Sequence, residues 1–125
     1  MSERNKAAAR AAFEVWSRGT LEDLDRFVSP TVVHHDPYDP HGAEGLAGMK
    51  KTIERNRARY PDLQITVEDQ LAENDKVATR WTSTMTHDGK QATLKGITID
   101  RFERGMIVEA WRNIDMLAFL RQIEK

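Results

Sequence analysis

The sequence predicts an α+β fold, with helices gathered in the first half of the chain and a strongly curved antiparallel sheet in the second. Two changes of pattern carry that prediction. Apolar residues recur at helical spacing up to about Arg59, and from Asp62 onward they alternate. Turn dipeptides then separate the alternating runs, as hairpins require. Segregated helices and hairpin-linked strands define the class. A strongly twisted sheet with helices on one face curls into a cone and leaves a cavity.

The elements follow in order. Ala8, Ala11, Ala12, Val15 and Trp16 make one apolar stripe, and Gly19 ends that first helix. Thr20 stands as an N-cap with Asp23 three residues on. Leu21, Leu24, Phe27 and Val28 then stripe a short second helix, which Ser29-Pro30 stops. Thr31 to Asp36 reads as a short strand. Pro37, Pro40 and Gly42 make the next stretch a loop. A third helix runs from Glu44 to Arg59 with Leu46, Met49 and Ile53 inward. Its basic residues Lys50, Lys51, Arg55, Arg57 and Arg59 read as a solvated face. Four long strands follow. Leu63, Ile65 and Val67 alternate in the first, and Val77, Thr79, Trp81, Ser83 and Met85 share one face of the second. The third covers about Ala92 to Glu103. Ile107, Glu109, Trp111, Asn113 and Asp115 share one face of the last. Asn74-Asp75, Asp88-Gly89 and Arg104-Gly105 are the turns, and Met116 to Ile123 forms a closing helix.

The 125 residues make one domain, 1–125, long enough to bury a core without staples. The 19 basic and 20 acidic residues nearly balance, which argues against a nucleic-acid partner. The absence of cysteine excludes disulfides, iron–sulfur clusters and thiolate chemistry. No apolar run spans a bilayer and the first sixteen residues carry no secretory h-region, so a soluble, cytoplasmic protein with no membrane partner is expected. No phosphate loop, dinucleotide fingerprint or nucleophile elbow occurs.

Three carboxylates fall at strand ends or within core-like strand patterns: Asp36, Asp100 and Asp115. A carboxylate buried away from cations has a raised pKa and serves as a general acid or base near neutral pH. Each also has an ordinary structural reading. Asp36 precedes Pro37 in a loop, Asp115 caps the final helix, and Asp100 pairs with Arg101 or a neighbouring strand. The segment from His34 to His41 is rich in metal-ligating types. Strand alternation sends His34 and Asp36 to one face and His35 to the other, so no metal site is expected there. His34 is then either a site residue or a hydrogen-bonded core histidine. Trp16, Trp81 and Trp111 form either plain core or the wall of an apolar ligand site.

The stretches Phe13 to Leu21, Val32 to Pro37, Tyr60 to Leu63, Gly96 to Ile99 and Gly105 to Asp115 resemble the SnoaL-like polyketide cyclases. These belong to the nuclear transport factor two-like superfamily, with the ketosteroid isomerases and limonene epoxide hydrolases. The resemblance implies a cone-shaped antiparallel sheet enclosing a pocket closed by the N-terminal helices, often dimeric through the outer sheet face. It implies no cofactor. Asp115 resembles the cyclase acid–base aspartate. Asp36 matches the isomerase base, and Asp100 with Phe102 matches the isomerase aspartic acid that stays protonated; that arrangement is a worked case of a carboxylic acid kept neutral by an apolar site. Ala11 and Ala12 stand where the isomerase pattern needs a tyrosine. Asp100-Arg101 only faintly echoes the hydrolase triad.

The expected function is cofactor-free proton transfer on an apolar carbonyl compound, giving aldol cyclisation or isomerisation. Asp115 or Asp36 is the expected base. Asp100 or His34 is the neutral group that stabilises the enolate oxygen. Trp16, Tyr38, Met49, Trp81, Met85, Phe102, Trp111 and Asn113 are the expected ligand contacts. The alternatives are a non-enzymatic small-molecule binder or dimeric interaction module of the same fold and, more weakly, an epoxide hydrolase. Ile97 and Ile99, opposite in phase to Asp100, suit the outer face of a homodimer.

Overall fold

The computed structural model describes residues 2–39 and 44–124. Helix α1 (Ser2–Val15) buries Ala8, Ala9, Ala12, Phe13 and Val15 on one face. The expected short second helix is a 3₁₀ segment (Leu21–Arg26), its N-cap Thr20 amide donating to the Asp23 carboxylate. Strand β1 (Val28–His35) begins earlier than the sequence pattern predicts. It runs through Pro30, which an edge strand tolerates because no ladder bond is lost. Helix α2 (Gly45–Arg59) follows, then β2 (Gln64–Glu73), β3 (Lys76–His87), β4 (Lys90–Glu103), β5 (Met106–Ile114) and α3 (Met116–Ile123). Asp88-Gly89 and Arg104-Gly105 take the left-handed φ values that two-residue hairpins need.

The sheet order is β1-β5-β4-β3-β2. Strands β2 to β5 form an antiparallel meander, but β1 pairs parallel to β5. The sheet is therefore mixed and open, with β1 and β2 as its two edges. This corrects the expectation of an antiparallel cone curled around a closed pocket. The reason is topological. The chain enters the sheet at β1 and returns beside it only after α2 and the whole meander, a crossover long enough to set the two strands parallel.

Helices cover one face. Ala9, Leu24, Val28, Val32, Ile53 and Val77 anchor the main core, and Met85, Ala92 and Phe119 form a second cluster beneath α3. Gln122 fixes α3 by exchanging two 2.8 Å hydrogen bonds with the Thr93 backbone. On α2, Arg57 donates to the carbonyls of Gly19 at 3.0 Å and Val15 at 3.4 Å. The expected solvated basic face is thus partly a clasp on the last carbonyl of α1 and on the turn that follows it.

Ladder irregularities decide which residues face inward. Phe102 pairs with Ile107, while Arg101 pairs with Glu109, so Val108 is an extra residue in β5. Beyond it Ala110, Arg112 and Ile114 face inward. Trp111 and Asn113 go to the outer face, where Trp111 stacks on His35 at 5.3 Å. The simple alternation expected for this strand fails at that bulge.

Trp81 lies across β4 at Gly96, its register partner. A Cβ at Gly96 overlaps the indole ring and comes within 2.9 Å of the Asn113 carbonyl. Gly96→Ala is expected to destabilise the protein by about 1–3 kcal/mol and to shift Trp81 fluorescence. Urea unfolding checks this, and an unchanged midpoint contradicts the packing described.

Candidate functional site

Two lateral rows of inward side chains build the site. In the first, His34, Ala110 and Asp100 occupy matching positions on β1, β5 and β4. Adjacent strands lie roughly 4.8 Å apart, so the His34 and Asp100 backbones are about 10 Å apart. Only the Ala110 methyl floors the gap between them. In the second row Arg112, Thr98 and Thr79 match on β5, β4 and β3. Asp36, just beyond the end of β1, joins this row through an ion pair of 2.9 Å with Arg112.

The second row is fully engaged. The Arg112 guanidinium lies over both Trp16 and Trp81, 5.1 Å from each ring centroid. Trp81 Nε1 donates to Thr98 Oγ1 at 3.0 Å, and Gln70 Nε2 donates to Thr79 Oγ1 at 3.2 Å. The Asp36 side chain, only 3% exposed, accepts from Arg112 and from the Tyr38 amide at 2.9 Å.

The first row is not. Burial pushes the Asp100 carboxyl up to about 7, with no cation or hydrogen-bond donor among the described residues to offset it. Burial also lowers the pKa of His34, against the opposing pull of the Asp39 and Asp36 carboxylates. Its Nδ1 is buried without a hydrogen-bond partner. A bare lone pair is less costly to bury than a bare N–H, which favours the proton on Nε2.

A cavity of about 50 Å³ lies over the rows, lined by His34, Asp36, Asp100, Ala110, Arg112, Trp16, Met49 and Trp81. Ala9 and Ala12 of α1 roof it, and their small side chains leave the room it occupies. A larger cavity of about 180 Å³ adjoins it along a shared wall of Trp16, Trp81 and Arg112. Tyr38 and Met85 line that second cavity. Such an arrangement can hold an apolar molecule against one carboxyl whose pKa burial raises to about 7 and one imidazole whose pKa burial lowers.

Several expected site residues lie elsewhere. Asp115 is exposed and caps α3, accepting from the Ala118 amide at 3.0 Å. Asn113 and Trp111 are on the outer face, and Phe102 is packed in the core. Arg101 is also outside, bound to Glu103 at 2.7 Å and Glu109 at 3.1 Å. Among the described residues, no three His, Asp or Glu side chains gather as a metal site, and His41 lies outside those residues. The sequence reading missed Arg112, Thr98 and Ala110. Local alternation carries no signal for the bulge that turns Ala110 and Arg112 inward.

The fold and this site define a helix-covered mixed sheet with a largely apolar cavity bordered by a few polar groups. The sequence matches the SnoaL-like polyketide cyclase family over residues 6–123, and the chain belongs to that family. It is similar to a candidate polyketide cyclase from Acidithiobacillus ferrooxidans, at 30% identity and TM-score 0.84, covering 98% of this chain and 96% of that one. It is also similar to IdmH, a candidate polyketide cyclase from Streptomyces antibioticus, at 26% identity and TM-score 0.84, covering 95% and 97%. AclR, a candidate hydroxylase from Streptomyces galilaeus, matches at 30% identity and TM-score 0.80, covering 97% and 85%. No curated protein matches the sequence. Among the described residues, no helix is long and apolar enough to cross a membrane.

The buried Asp100 links stability to pH. The folded chain holds the proton up to about pH 7, whereas an unfolded aspartic acid loses it near 3.8. Stability therefore falls as pH rises between those values, by on the order of 4 kcal/mol, and stays low above them. Asp100→Asn is expected to flatten that slope and to be roughly 1–3 kcal/mol more stable than wild type at about pH 8. Urea denaturation across the window checks the sign.

Proposed function

We propose that the protein is a cofactor-free acid–base enzyme acting on an apolar carbonyl compound, with Asp100 as general base and the His34 imidazole as hydrogen-bond donor. The observation that carries this reading is the first row: two unpartnered titratable groups face each other across Ala110. Asp36 is ill suited as base because Arg112 and the Tyr38 amide already hold its oxygens. Asp115 borders neither cavity.

The ionised Asp100 removes a proton from the carbon next to the carbonyl. The electron pair moves onto the carbonyl oxygen, and the His34 N–H stabilises the enolate in a site shielded from water. The enolate carbon then attacks a second carbonyl of the same molecule, and the alkoxide takes back the proton. That outcome is an aldol cyclisation. Return of the proton to a different carbon is an isomerisation. A base with a pKa near 7 is well matched to either.

Mass spectrometry of deuterium uptake by apolar ketones tests this. The kcat/KM for exchange is expected to rise about tenfold per pH unit below about 7 and to level above it. Asp100→Asn is expected to lose at least about 100-fold, and His34→Ala about 100-fold. A profile that falls above pH 7 sinks the assignment of Asp100 as base. Binding without exchange favours a non-catalytic ligand binder. A second reading, epoxide hydrolysis, draws support from the Asp36–Arg112 pair lying beside a second aspartate, Asp100. Diol formation from a terpene epoxide marks that outcome.

A homodimer through the outer sheet face completes the proposal. Val33, Ile97 and Ile99 are exposed there beside Trp111. Sedimentation is expected to give a dimer for wild type and a shift toward monomer for Ile97→Lys; a monomeric wild type contradicts it.

A further inference from the structure

The larger cavity contains donors that the proton-transfer reading does not use. Thr52, Arg55 and Asn56 of α2, with Tyr60 just past its end, lie along its wall. Most polar groups around it are committed. Thr52 Oγ1 donates to Asp39 at 2.8 Å, Ser83 Oγ donates to the Leu94 carbonyl at 3.3 Å, and Tyr60 Oη bonds His87 Nδ1 at 2.8 Å. Arg55 and Asn56 are the exceptions: their side chains make no hydrogen bond or ion pair among the described residues.

The contrast along α2 sharpens this. Lys50 pairs with Asp25 at 2.8 Å, Lys51 with Glu44 at 3.1 Å, Arg57 with the carbonyls of Val15 and Gly19, and Arg59 with Tyr60 Oη at 3.0 Å. Arg55 has no such partner, and of these five basic residues it is the one that lines the cavity. The rest of that cavity is largely apolar, with Met85, Leu94 and Phe119 on its wall.

We propose that this second cavity is a subsite for a carboxylate on the substrate, with Arg55 as its counter-ion and Asn56 as a second donor. The planar guanidinium fork matches the two oxygens of a carboxylate, and a single unpaired cation matches a monoanion. The substrate class is then an apolar keto acid. Its ketone sits over Ala110 between Asp100 and His34, and its carboxylate lies beyond the Trp16–Arg112–Trp81 wall. The inference rests on the proton-transfer reading only for the position of the ketone.

The test compares benzoylbutyrate with its methyl ester, measuring affinity by quenching of Trp16 and Trp81 fluorescence. Wild type is expected to bind the acid about tenfold or more tightly than the ester. Arg55→Ala is expected to erase that preference by weakening the acid alone, and Arg55→Lys to retain part of it. Arg55 holds no other residue in place, so these variants are expected to fold. Asp100→Asn is expected to keep the acid preference while losing deuterium exchange, which separates failure of the chemistry from failure of the subsite. Equal affinity for acid and ester, no measurable binding of the acid, or a preference that survives in Arg55→Ala each overturns the proposal.

Discussion

One extra residue in β5, Val108, governs which chemistry the cavity holds. Sheet side chains alternate with a period of two, so a single insertion reverses every later residue in the strand. Without the bulge, Glu109, Trp111 and Asn113 would point inward beside Asp100. With it, the Ala110 methyl lies between His34 and Asp100, and Arg112 reaches Asp36. The bulge also hands the outer face its own polar cluster. There Glu109 takes hydrogen bonds from His35 and Arg101 and so titrates below the ordinary glutamate range. The two faces of β5 are thus sorted by one local irregularity.

Arg112 shows how the fold tolerates a cation in a largely apolar cavity. An isolated buried charge is costly, and its desolvation is offset only by good geometry on several sides. Here a carboxylate stands at 2.9 Å and two indole faces lie 5.1 Å away. Trp81 keeps its own place because Gly96 admits its ring and Thr98 accepts its N–H. The chain of dependence therefore runs from a glycine on β4 to a tryptophan on β3 and on to an arginine on β5. The wall between the two cavities stands on that chain.

Much of this organisation is legible in the sequence. The switch of period near Asp62, the hairpin dipeptides and the inward face of β3 from Val77 to Met85 all correspond to observed elements. Local signals suffice there, because alternation and turn chemistry are properties of neighbouring residues. His34, Asp36 and Asp100 also border the smaller cavity as their strand phase suggests. The parallel pairing of β1 with β5 is not legible, since it joins segments more than seventy residues apart. The bulge hides for a different reason. Ile107-Val108-Glu109-Ala110-Trp111 alternates acceptably in either phase, and only packing against Phe102 on one side and Asp100 on the other selects the bulged register. Asp115 illustrates the cost of missing it. Extending the unbulged phase carries it inward on paper, whereas the chain uses it to start α3.

The site divides by satisfaction as well as by position. Asp36 pairs with Arg112, Thr98 accepts from Trp81 and Thr79 accepts from Gln70, so each of these polar side chains has a partner. Pairing of that kind fixes geometry, and it leaves little free to react. Asp100 and the Nδ1 of His34 are buried without such partners. An uncompensated buried carboxyl lowers folded-state stability above the pH at which it would normally ionise, so nothing in packing alone accounts for an aspartate there. Asparagine, leucine or valine at that position would serve the core as well or better. Under the proposed function, Arg112 and Asp36 are the rigid frame, and Asp100 and His34, which lack hydrogen-bond partners among the described residues, are the groups that the frame holds for a ligand.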